Sequence, residues 1–188
     1  MPRHTSEADP MRRRDPRWLL VFAANLLLLW LVALANHQLA PYHLSLYAGG
    51  LLVTFAALRL DPRRGFIATV LTALAADALA PVPFGTSLLL FVLVQAVLLS
   101  GRQRFPREEP VFATVVALLA NLFLFLSLSF ILIGRQPHPG EAWLRLFADL
   151  LASQLLLAVV TPWFMALQVR AHELARIHPE TGRPVEPA

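Results

Sequence analysis

The side chains able to do chemistry in this chain are few. Asp77 lies late in one apolar block, three to four residues before Pro81. Asp149 lies early in another, with Arg145 one turn before it, so the two can pair across an i, i+4 helix face. Gln95, Asn121 and Gln154 are amides deep in apolar surroundings, where an unpartnered polar group costs several kcal/mol. These amides are placed to hydrogen-bond between helices, each worth about 0.6 kcal/mol. Asp77 is read either as a charge facing the interior that contacts a partner or caps the Pro81–Gly85 turn, or as a carboxylate reaching interfacial water.

Catalytic signatures are missing. The sequence has no H-E-x-x-H metal helix, no G-x-S-x-G elbow and no G-x-x-x-x-G-K phosphate loop. It has no cysteine, which excludes disulfides, thiolate nucleophiles and sulfur-ligated metals. The six histidines all fall in tails or joints, and His37 with His43 would hold a metal only weakly. No catalytic residue, metal site or cofactor is expected.

The elements that must position these residues are membrane spans. Apolar residues make up 57% of the 188 and charged ones 15%, too few charges for a soluble domain, which carries about a quarter. A helix crossing the hydrocarbon core needs about 20 residues. Six blocks come near that length: Trp18 to Ala40, Leu44 to Leu60, Gly65 to Ala80, Thr86 to Ser100, Val111 to Ile133 and Trp143 to Val169. The third and fourth are short and suit a tilted pair or a hairpin that enters and returns. Prolines at 41, 62, 81, 83, 106, 110, 137 and 139 punctuate the joints, as expected of residues that disfavour a preceding helix. Pro162 falls inside the sixth block, where it should free the carbonyl of Ala158.

The chain thus divides into a disordered tail over 1–17, a six-span domain over 18–169 and a second tail over 170–188. All sixteen basic residues are arginine. Fourteen fall in the two tails and alternate joints, including Arg63, Arg64, Arg102, Arg104 and Arg107, and only Arg135 and Arg145 fall on the other side. By the positive-inside rule both ends are cytoplasmic. The net charge of +4 does not imply nucleic acid, because the arginines are scattered between apolar blocks and form no stripe. Arg12–Arg14, the first apolar run and Ala33-Leu34-Ala35 also have the layout of a secretory signal. The run is longer than the usual 7–15 or so residues, so a retained span is expected.

The stretch from Arg63 to Leu99 resembles the rod-shape-determining MreD family. An arginine and glycine open a helix (Arg64, Gly65), an aspartate lies near its end (Asp77), and a proline-glycine turn leads on (Pro83, Gly85). Thr161-Pro162-Trp163 is similar to that family's proline-containing last helix, and the likeness extends over roughly residues 44–170. The resemblance implies an all-α, six-span bundle similar to the substrate-binding subunits of vitamin transporters. It implies a non-enzymatic scaffold of the bacterial elongation machinery in the inner membrane, working with an MreC-like bitopic protein, MreB, peptidoglycan polymerases and membrane lipids. Asp77, Pro81, Pro83, Phe84 and Gly85 are then the first candidates for partner contact, and the inward-side arginines for lipid or MreB contact. The alternative is the vitamin-type transport subunit itself; a lipid-processing enzyme using Asp77 and Asp149 as acid and base is a third reading.

Overall fold

The computed structural model describes residues 17–101, 110–133 and 139–177. Six α-helices follow one another: α1 (Arg17–Leu39), α2 (Gly49–Arg59), α3 (Pro62–Leu79), α4 (Thr86–Gly101), α5 (Pro110–Ile133) and α6 (Pro139–Ile177). A 3-10 turn, Ala40–Tyr42, closes α1. No strand occurs among the described residues. The protein is an all-α membrane helix bundle. Three stretches are long and apolar enough to cross a bilayer alone, Trp18–Tyr42, Val111–Ile133 and Trp143–Leu174, while α2 and α4 are shorter apolar helices.

The bundle is organised around α2. Ten of its eleven residues are buried, and it touches every other helix. A helix apolar on all sides belongs in a core, and α2 reaches it because its packing face is small. A side chain at Gly50 would strike the α5 backbone at Ala117 and Asn121, so the two helices meet backbone to backbone. Ala113, Ala117 and Ala120 continue the small α5 surface there. Gly65 does the same for α3, where a Cβ would lie 2.6 Å from the Ala56 carbonyl oxygen.

Sequence expects one helix from Leu44 to Leu60, and the structure corrects this. Residues 44–48 are non-helical, and the helix starts at Gly49. The eleven helical residues rise about 16 Å, roughly half of a hydrocarbon core of about 30 Å, and the non-helical stretch adjoins them. The non-helical stretch exists because distant side chains satisfy its backbone, as described below.

The third and fourth blocks form a packed pair joined by the 80–85 turn, with Gly85 at φ +95°. That backbone angle is one that a residue with a side chain seldom adopts. At the far end, α6 runs unbroken through Pro162 and continues to Ile177, past the Val169 boundary expected from hydropathy. The arginine joint Arg59–Arg64 meets the end of α6 at Val169, His172 and Glu173. This arginine end therefore lies opposite the turn end, which carries residues 80–85 and the non-helical segment 44–48. Arg102, Arg104 and Arg107, and residues 1–16 and 178–188, lie outside the described residues.

Candidate functional site

Asp77 is nearly fully buried and spends its carboxylate on the turn that follows it. Oδ2 accepts the backbone N–H of Gly85 at 3.0 Å and of Leu88 at 3.1 Å, while Oδ1 accepts that of Ser87 at 2.8 Å. The first N–H groups of a helix lack intrahelical partners and attract negative charge. Asp77, the last polar residue of α3, thus caps α4 from across the turn. The clamp leaves Phe84 and Leu79 protruding, 74% and 64% exposed, with Pro81 and Pro83 exposed beside them. Pro83 adds its carbonyl as acceptor for the Thr86 N–H at 3.1 Å and hydroxyl at 2.7 Å.

Asp149 holds the other irregular segment. Its carboxylate accepts the Ser45 N–H at 2.8 Å and the Ser45 hydroxyl at 2.7 Å, one helix away from where sequence looked. The i, i+4 pair with Arg145 is not formed: Asp149 is buried and Arg145 exposed. Ser153, one turn along, accepts the Tyr47 N–H at 3.0 Å. From α1, Asn36 donates to the Leu46 carbonyl at 2.9 Å and accepts its N–H at 2.7 Å, pairing with it as a neighbouring strand would. Non-helical backbone at membrane depth requires such partners.

The amides tie the helices together deeper in the bundle. Gln95 on α4 accepts the Thr69 hydroxyl at 3.0 Å, Asn121 on α5 accepts the Gly50 N–H at 3.2 Å, and Gln154 on α6 donates to the Leu118 carbonyl at 3.1 Å. Asn25, the strongly polar residue inside the first apolar run, is not among the candidates named from sequence. It donates to the Leu52 carbonyl at 2.9 Å and to the Thr72 hydroxyl at 3.1 Å, joining α1, α2 and α3. Its isolation in an apolar run was the signal.

Asp77 and Asp149 belong to separate clamps, each occupied by backbone donors. The acid–base pairing needed by a lipid-processing enzyme finds no support in those contacts. At the arginine end, Arg64 pairs with Asp61 at 3.3 Å, both partly exposed, and Arg59 and Arg63 are exposed. No cluster of three metal-ligating side chains occurs among the described residues.

Between the two clamps lies a cavity of about 520 Å³. Its wall is drawn from α1, the non-helical segment, the starts of α2 and α4, the ends of α3 and α5, the 80–82 part of the turn, and Leu146 of α6. Nothing in the hydropathy pattern points to it, since residues 44–48 read there as helix.

Among known families, the model described as "7TM receptor with intracellular HD hydrolase" matches residues 5–165. The chain belongs to that family. The match lies on the helical bundle, and the 188 residues contain no His-Asp dipeptide. No curated protein and no solved structure matches the chain.

Proposed function

We propose that this member of the 7TM-receptor family acts as a non-enzymatic scaffold of the rod-shape machinery in the bacterial inner membrane, with both termini cytoplasmic. The observation that carries the reading is the Asp77 clamp. The residues that resemble the MreD pattern converge on one hairpin: Gly65 seats α3 on α2, Asp77 caps α4, and Pro83 and Gly85 shape the turn between them. The result is a fixed apolar knob, Leu79 and Phe84, at the turn end. Such a knob suits the transmembrane or juxtamembrane segment of an MreC-like bitopic partner. Arg59, Arg63 and Arg64 face the inner-leaflet lipids and MreB, and together with Arg102, Arg104 and Arg107 of the next joint their charge fixes orientation.

Depleting the protein in its own bacterium tests this reading. Rods should swell into spheres and recover with the intact gene but not with Phe84→Glu, provided that variant inserts and melts normally. Rods that stay rods on depletion would remove the scaffold role. A second reading, the vitamin-type transport subunit, is favoured by the cavity at the turn end. It expects a copurifying vitamin and tight binding to an ATPase-driven coupling module.

A further inference from the structure

The arginine end holds a pocket that carries charge of both signs. Its volume, about 280 Å³, lies just under the roughly 300–1,000 Å³ of drug-sized sites, the scale of a headgroup and not of a whole lipid. Buried Phe55 and half-buried Val169 form its apolar side, and the exposed side carries Arg59, Asp61 and Glu173, with Arg64 between. The His172 ring stands 5.5 Å from that of Phe55, with Nδ1 2.7 Å from the Gln168 carbonyl oxygen, so the α6 wall is already fixed. Arg59 ends α2 and Val169 ends the apolar block of α6, which puts the pocket at the level of lipid headgroups. Charged pockets between helices at that level are where headgroups bind.

The charges do not all cancel in pairs. Arg64 meets Asp61 at 3.3 Å. Arg59 from α2 and Glu173 from α6 line the same pocket, yet neither forms an ion pair with the other or with any other described residue. Two guanidiniums and two carboxylates sum to zero. A purely anionic headgroup would meet Asp61 and Glu173 as repulsion, and a purely cationic ligand would meet the two arginines so. A ligand with both signs, set apart as Arg59 and Glu173 are, satisfies both.

We infer that this pocket binds the headgroup of a phosphatidylethanolamine, its phosphate on Arg59 beside Arg64 and its primary ammonium on Glu173. The planar guanidinium fork matches phosphate, and an ammonium with three N–H donors matches a carboxylate. A choline headgroup has no such donors. The scaffold reading contributes only the leaflet that supplies the lipid. Binding in detergent does not depend on orientation, so loss of the rod-shape role would leave this inference standing, and its failure would leave that role untouched.

The test is native mass spectrometry of the full chain in detergent, titrated with phosphatidylethanolamine, phosphatidylglycerol and phosphatidylcholine of identical acyl chains. Phosphatidylethanolamine should bind with a severalfold lower Kd than either of the others. Arg59→Gln should raise that Kd roughly 3- to 10-fold, the value of one charge-assisted hydrogen bond at an exposed site. Glu173→Gln should raise it by a similar factor and lower the Kd for phosphatidylglycerol, opposite changes that a merely structural role would not produce. Both positions are exposed, and if one variant does not fold the other still decides. Equal Kd values for the three lipids, or Glu173→Gln weakening both phosphatidylethanolamine and phosphatidylglycerol, would overturn the inference. Displacement of the lipid by an equal concentration of free O-phosphoethanolamine would overturn it too, by assigning the pocket to a soluble zwitterion.

Discussion

Replacing Asp77 by Ala would strand two α4 N–H groups, of Ser87 and Leu88, and the Gly85 N–H of the turn before it. The expected loss is about 2–4 kcal/mol, larger than an ordinary cap because the acceptor is charged. Thermal unfolding in detergent should show a drop of roughly 5–15 °C, with Asp77→Asn falling between the two. Asp149→Ala should destabilise by about 1–3 kcal/mol through Ser45, whereas Arg145→Ala should leave the melting temperature unchanged within about 1–2 °C. An equal effect of Arg145→Ala would revive the Arg145–Asp149 pair. The Asp77 clamp was half legible in sequence, because its acceptor and its turn lie eight residues apart. The Asp149 clamp was not. Local spacing pointed to Arg145, and the true partner, Ser45, is 104 residues away.

At the scale of elements, hydropathy delimits α1, α4 and α5 almost to the residue, since nothing in them competes with the helix. It misplaces the start of α2. Leu44 to Tyr47 are as compatible with a helix as with an extended chain, and the choice is made by Asn36, Asp149 and Ser153 from other elements. Two adjacent glycines, Gly49 and Gly50, allow close packing, but nothing in the sequence points to the α5 surface that Gly50 meets. Gly50→Val should force α2 from α5 at Ala117 and Asn121 and lower the yield of folded protein severalfold. Size-exclusion profiles would show aggregate in place of the monodisperse peak. A normal profile for Gly50→Val would mean that the α2–α5 contact is looser than described.

For the whole molecule, arginine distribution sets the expected orientation, and the cysteine-free sequence makes the test simple. Phe84→Cys and Tyr42→Cys, both at exposed positions of the turn end, should react with a membrane-impermeant maleimide in intact cells. Arg63→Cys, at the arginine end, should react only after the membrane is opened. The reverse pattern would invert the topology and with it the lipid-facing role of the arginines. The broad architecture was readable because apolar length and charge asymmetry are summed over many residues. The cavity was not, because it is the space left by one five-residue departure from helix.

That departure has a consequence for biosynthesis. Ribosomes deliver the chain from its N-terminus, so residues 44–48 reach the membrane long before Asp149 and Ser153 exist. Until α6 inserts, the amides of Ser45 and Tyr47 have no acceptor from that helix, and the central helix cannot settle. The last span to be made is therefore the one that locks the second, and a nascent chain halted before it would present unpaired backbone to the bilayer, the kind of defect by which membrane quality control recognises an unfinished protein.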